Sequence, residues 1–113
     1  ELTEFDMAEM YQSNVLGHFR MIKALLPMMN TNSHIVNIGS MGGFQGSAKF
    51  NGLAAYSASK AALHILTECL AQELVDDKIS VNCFILSVAL ILLLKFCSYP
   101  KGGFFTTKID LKN

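Results

Sequence analysis

The sequence predicts an α/β chain in the order helix, strand, helix, strand, with its two strands side by side in a parallel sheet. Three observations carry this. Two long segments, about 4–28 and 54–75, place apolar residues at helical spacing. Two short runs, His34-Ile35-Val36-Asn37-Ile38 and Ile79 to Phe84, are apolar and rich in β-branched residues, as buried strands are. The second helical segment lies between these runs, and a helix joining two strands in this way makes a right-handed crossover between parallel neighbours.

The elements follow in order. Thr3-x-x-Asp6 opens the first helix as a capping box, with Asp in place of the usual Glu or Gln. Apolar positions from Phe5 through Val15, Leu16, Phe19 and Ile22 carry it to about Met28, and Pro27 has to end or kink it. Asn30-Thr31-Asn32-Ser33 is a turn. After the first strand comes Gly39-Ser40-Met41-Gly42-Gly43. This puts Ser40 just past a strand end, where open α/β sheets form their ligand crevice. In the second helix Ala61, Ala62, Ile65, Leu66, Cys69, Leu70 and Leu74 form a broad apolar stripe expected to face the core. Asp76-Asp77-Lys78 closes it. Met7, Met10, Met21, Met28 and Met29 read as packing residues rather than a cofactor box.

Composition narrows the function classes. A chain of 113 residues allows one domain, and 51% hydrophobic residues is ample for a core of that size. Nine basic and nine acidic residues cancel, and no basic patch interleaves with aromatics, which excludes nucleic acid as a partner. Cys69, Cys83 and Cys97 are odd in number and lack C-x-x-C spacing, so buried reduced thiols are expected rather than a disulfide framework or a zinc site. His18, His34 and His64 are scattered without a carboxylate pattern, and no metal site is expected. No signal peptide opens the chain, and a cytoplasmic setting is expected. The apolar segment 83–94 is interrupted in character only by Ser87. A membrane span needs ~20 apolar residues, so this segment reads as a buried extension and no membrane partner is expected.

The chemistry concentrates in Tyr56-Ser57-Ala58-Ser59-Lys60. On a helix, residues i and i+4 share a face, which brings the Lys60 charge towards the Tyr56 hydroxyl. A nearby cation favours the phenolate and lets the hydroxyl exchange protons with a substrate oxygen. Alone, the pair reads as a solvated helix face. The strand and turn that place Ser40 upstream, and Asn14-Val15-Leu16-Gly17 in the first helix, change that reading.

Asn14-Val15-Leu16-Gly17, Ile35-Val36-Asn37-Ile38-Gly39-Ser40, Tyr56-Ser57-Ala58-Ser59-Lys60 and Ile79-Ser80-Val81-Asn82, in this order and spacing, resemble the short-chain dehydrogenase/reductase family over roughly the first 83 residues. The resemblance implies part of a Rossmann-like, doubly wound parallel sheet. It implies an oxidoreductase that moves hydride between NAD or NADP and a small-molecule carbonyl or alcohol. It further implies a catalytic tetrad of Asn14, Ser40, Tyr56 and Lys60. Tyr56 is then the acid/base, and Lys60 favours its ionised form and bonds the nicotinamide ribose. Ser40 holds the substrate oxygen, and Asn14 anchors a water that links Lys60 to solvent. Helices matching 4–28 and 54–75 often pack against a second subunit in the family, so a homo-oligomer through them is expected.

Family members also carry an N-terminal half whose glycine-rich turn and helix hold the pyrophosphate. This chain has no G-x-G-x-x-G and starts at Glu1 rather than Met. It is expected to be a truncated, C-terminal catalytic half. Gly39-x-x-Gly42-Gly43-x-x-Gly46 has the wrong spacing for a phosphate turn and reads as a flexible substrate-side loop, continued by Phe44 to Leu53. Residues 1–84 are expected to be the catalytic half and 85–113 a divergent apolar and irregular tail, because Leu86-Ser87 stand where the family usually has a Pro-Gly turn. The alternatives are a catalytically inactive remnant that associates through its helices, or a peptide held at a membrane by residues 83–94.

Overall fold

The computed structural model describes residues 2–87. The apolar run 88–94, Cys97 and nearly all of the expected 85–113 tail lie outside the described residues. Helix α1 spans Glu4–Tyr11 and begins with the expected capping box. Thr3 Oγ1 accepts from the Asp6 N–H at 3.2 Å, and Asp6 Oδ2 accepts from the Thr3 N–H at 2.9 Å. Asp serves in place of Glu because the Thr3 hydroxyl also donates to it, at 2.7 Å.

The expected single helix to Met28 is instead interrupted. Gln12–Leu16 form a π-helical turn, after which α2 runs over Gly17–Leu25 and a 3-10 turn covers Leu26–Met28. The widened turn is closed by the Gly17 N–H donating to the Gln12 carbonyl. Within it, the Ser13 hydroxyl back-bonds to the Glu9 and Met10 carbonyls at 3.1 and 3.3 Å, a competition that bends helices. Pro27 lies in the first turn of the 3-10 segment, where its missing N–H costs least.

Strand β1 covers His34–Ser40 and β2 covers Ser80–Leu86; the two pair in parallel, His34 opposite Ser80 and Ser40 opposite Leu86. Ser40 is thus the last residue of the strand rather than the first beyond it. Between the strands lie a 3-10 turn at Met41–Gly43 and helix α3 at Ala54–Glu73. This is an α/β arrangement with helices against a small parallel sheet, of partial Rossmann-like form.

The core joins Ile22 of α2, Ile35 of β1, Leu70 and Leu74 at the end of α3, and Ile79 and Val81 entering β2. Strand alternation puts Ile35, Asn37 and Gly39 on the buried face, while Val36 and Ile38 remain 56% and 46% exposed on the other. Parallel sheets bury both faces, so the second face has the composition of a covered surface. Met29 packs against the core, whereas Met21 and Met28 are exposed, contrary to the packing role expected of all five methionines.

The α3 stripe also needs correction. Its buried residues are Ala55, Ser59, Lys60, Leu63, Thr67 and Leu70, while Ile65 and Cys69 face outward. Two hydroxyls take core positions because each is satisfied internally: Ser59 Oγ donates to the Tyr56 carbonyl and Thr67 Oγ1 to the Leu63 carbonyl, both at 2.8 Å. A buried polar group with its hydrogen bonds made loses little on desolvation. Cys69 is therefore an exposed thiol and Cys83 a half-buried one, not two buried thiols.

The corrected face predicts an ordering of stabilities. Leu63→Ala should cost about 2–5 kcal/mol in denaturant unfolding, the range for a buried leucine. Ile65→Ala should stay within about 0.5 kcal/mol of wild type.

Candidate functional site

Four side chains singled out by the sequence lie around the junction of β1 with α3. Ser40 closes β1, and its Oγ accepts from the Gly42 N–H at 3.1 Å, so it caps the 3-10 turn that follows. Tyr56 is half-buried in the first turn of α3. Both come to Gly42: a Cβ there would stand 3.5 Å from Ser40 Oγ and 3.6 Å from Tyr56 Cε1. Lys60, one turn on, is 9% exposed, with its ammonium 5.9 Å from the centre of the Tyr56 ring. Lys60 Nζ donates to the Ile38 carbonyl at 2.8 Å. A neutral acceptor of this kind positions the ammonium without neutralising it.

Asn14 lies in the π-helical turn, and its Nδ2 donates to Ser59 Oγ at 2.9 Å. This bond ties the first helical segment to α3 beside Lys60. Single π-helical turns are frequent at functional sites, and this one sets the register of Asn14 over α3.

The glycines are packing residues. A Cβ on Gly43 would meet the Ala61 nitrogen at 2.5 Å and the Lys60 carbonyl carbon at 2.7 Å, so the turn lies directly on the α3 backbone. A Cβ on Gly39 would collide with the His64 ring and Cys83 Sγ. Within the expected substrate-side loop, residues 41–43 form a 3-10 turn, and Gly39 and Gly43 are packed against α3 and β2 rather than open towards a phosphate. Beyond them, Gly46 with φ of 79° and Gly52 with φ of 83° face open space.

His64 is the residue the sequence reading passed over. Its Nε2 accepts the Ser40 N–H at 3.2 Å, which requires a neutral ring with its proton on Nδ1. Burial holds this imidazole below the ordinary histidine value of 6.5, the Lys60 ammonium acts in the same direction, and Glu68 opposes them. On the same side of Gly39, burial pushes the Cys83 thiol above its ordinary 9.0, against smaller opposing contributions from Thr67, Lys60 and the Gly39 backbone. Deeper still, Asn37 Nδ2 donates to Thr67 Oγ1 at 3.0 Å, tying β1 to α3 under the site. The sequence offered one signal for His64, its position two turns of helix from Tyr56, but the partner is a backbone N–H and leaves no trace in residue type.

A shallow cavity of about 390 Å³ is lined by Lys49, Phe50, Leu53, Ala54 and Ser57 among others. It reaches neither Ser40 nor Lys60, so it adjoins the cluster without enclosing it. Among the described residues no group of three or more His, Cys, Asp or Glu side chains could hold a metal ion, and no helix is long and apolar enough to cross a membrane.

A family model described as short chain dehydrogenase matches residues 1–90. The chain belongs to this family. The match runs past Cys83, where the resemblance read from the sequence stops. A rhamnolipids biosynthesis 3-oxoacyl-[acyl-carrier-protein] reductase of Pseudomonas aeruginosa is 42% identical over 77 residues, covering 63% of this chain and 29% of that protein. Among solved structures, a short-chain dehydrogenase from Streptomyces avermitilis matches with a TM-score of 0.63 and 39% identity, over 77% of this chain and 31% of that one. Pseudomonas aeruginosa RhlG, in an active-site complex with NADP, matches with a TM-score of 0.64 and 34% identity, over 74% of this chain and 34% of that one. The chain thus spans about a third of the length of these short-chain dehydrogenase relatives.

The His64 environment predicts a pH-dependent stability. The unfolded ring takes up a proton near 6.5, before the folded ring does, so the stability is full above 6.5 and is lost as pH falls through the lower folded value. Thermal melts across about pH 5–8 should record this loss on the acid side, and His64→Gln should flatten it. Separately, Thr67→Val leaves the buried Asn37 amide without its acceptor and should cost about 1–3 kcal/mol in denaturant unfolding.

Proposed function

We propose that residues 1–84 are the C-terminal catalytic half of an NAD(P)-dependent short-chain dehydrogenase/reductase acting on a carbonyl or alcohol. The observation that carries this reading is the convergence of Ser40 and Tyr56 on Gly42, with the Lys60 ammonium one helical turn away. A phenol that moves a proton, a hydroxyl that holds an oxygen and a buried, unneutralised cation are the groups that carbonyl reduction needs at the oxygen end of its substrate.

The contacts support the following roles. Ser40 Oγ accepts from Gly42 and keeps its own proton to donate to a substrate oxygen. Tyr56 gives a proton to that oxygen during reduction and takes it back during oxidation. Lys60 places positive charge beside the developing phenolate, and its ammonium, satisfied once by Ile38, retains two N–H donors for ribose hydroxyls. Asn14, through Ser59, holds the first helical segment against the turn of α3 that carries Lys60. The nicotinamide supplies the hydride when bound, and the protein supplies position and charge. The residues of this chain that fit it are Tyr56 and Lys60, at the ribose. The NADP complex of RhlG and the oxoacyl-reductase relative support a nicotinamide nucleotide and a carbonyl substrate. Phe50 and Leu53 give the adjoining cavity an apolar wall suited to a non-sugar substrate. The free thiols of Cys69 and Cys83 suit a cytoplasmic setting.

A second reading, association through the helices, has its own support in the outward-facing Leu16, Met21, Leu25 and Met28. Sedimentation of the chain as a homo-oligomer would support it, and a monomer would count against it.

The catalytic reading is tested by Tyr56→Phe in an enzyme completed with a cofactor-binding half. NADPH-dependent carbonyl reduction should fall about 10²–10⁴-fold, the range for loss of a positioned acid, with nucleotide affinity nearly unchanged. Undiminished turnover would overturn the mechanism.

A further inference from the structure

Ser40 is held at two points. Its hydroxyl accepts from Gly42, and its backbone N–H is donated to His64 Nε2 at 3.2 Å. The second contact fixes the peptide from which the side chain springs, and so its direction towards Tyr56. It comes from α3, one turn beyond Lys60, across Gly39, where no side chain larger than hydrogen leaves room for the imidazole. The same histidine therefore fixes two features of one strand end: the missing side chain at Gly39 and the peptide orientation at Ser40.

We propose that His64 is a positioning residue for Ser40: the neutral ring anchors the Ser40 N–H, and protonation of the ring releases it. A charged imidazolium has donors on both nitrogens and no lone pair for the Ser40 N–H, so the contact turns from attractive to repulsive. The charged groups around the ring resist this change unequally. On α3 the Lys60 ammonium opposes a second positive charge and Glu68 favours it; from β2 the neutral Cys83 thiol packs against Gly39 on the same side; β1 presents only backbone at Gly39 and Ser40. Lys60 thus has a second effect, keeping His64 neutral and Ser40 anchored. The site gains an acid sensitivity that acts through Ser40 and is separate from proton transfer at Tyr56.

The inference rests on the reading of Ser40 as the residue that holds the substrate oxygen, but its test needs no turnover. The experiment is a pH titration of the full chain by two-dimensional ¹H–¹⁵N NMR, following the Ser40 amide and the His64 ring together. The expected result is that both move with one midpoint, below 6.5, and that the protection factor of the Ser40 amide falls roughly fivefold on the acid side, the factor of one net hydrogen bond. His64→Gln, which keeps an acceptor but cannot titrate, should retain the protection and lose the pH dependence. His64→Leu should lose both. A Ser40 amide indifferent to the His64 titration in wild type would overturn the proposal whether or not the variants fold. So would a Ser40 titration unchanged in His64→Gln. Failure of the oxidoreductase reading would show instead in the Tyr56→Phe assay and leave these shifts intact.

Discussion

The candidate site depends on how closely α3 approaches the end of β1. The approach is set by two glycines, Gly39 beneath His64 and Cys83, and Gly43 against the backbone at Lys60 and Ala61. A methyl group at Gly43 would press on the α3 backbone beneath Tyr56 and Lys60, and one at Gly39 would displace the His64 ring from Ser40. Polar contacts then fix the helix at the distance the glycines permit. Asn37 bonds Thr67, Lys60 bonds the Ile38 carbonyl, and His64 bonds the Ser40 N–H, so three successive levels of α3 are pinned to three places on β1. Hydrophobic packing holds the far end, where Leu70 and Leu74 meet Ile35, Ile79 and Val81.

This division of labour explains why the helix face nearest the chemistry is polar. An apolar interface would slide more easily, since dispersion is non-directional and tolerates small shifts. Hydrogen bonds at Ser59 and Thr67 fix both rotation and translation because each hydroxyl bonds its own helix and another element at once. The first helical segment is held in the same way. Its π-helical turn places Asn14 over Ser59, and the residues that follow on α2 return to the apolar core through Ile22.

The outer face of the sheet has a different character. Val36 and Ile38 alternate with the buried residues of β1, and Met21, Leu25 and Met28 lie open on the first helical segment. Their apolar nature is that of surfaces which parallel sheets normally cover. The chain spans about a third of the length of these relatives.

Much of this was legible in the sequence, because it depends on local signals. Thr3 and Asp6 mark a helix start by spacing, Pro27 marks its end by ring geometry, and the β-branched runs mark two strands. The tyrosine and lysine fall on one helix face through the fixed helical repeat. The buried face of α3 was not legible, since Ser59 and Thr67 enter the core only when Asn14 and Asn37 arrive from other elements to satisfy them. The purpose of Gly39 and Gly43 was equally hidden: a glycine is permissive everywhere, and only a neighbour in space decides whether it serves a turn, a phosphate or a helix. His64 looked unpartnered because its partner is a main-chain N–H, which every residue but proline possesses. The sequence alone determined the elements, their order and the types of reactive side chain. Tertiary structure decided which of those side chains meet, because contacts between distant segments depend on the separation of α3 and β1, which no local pattern encodes.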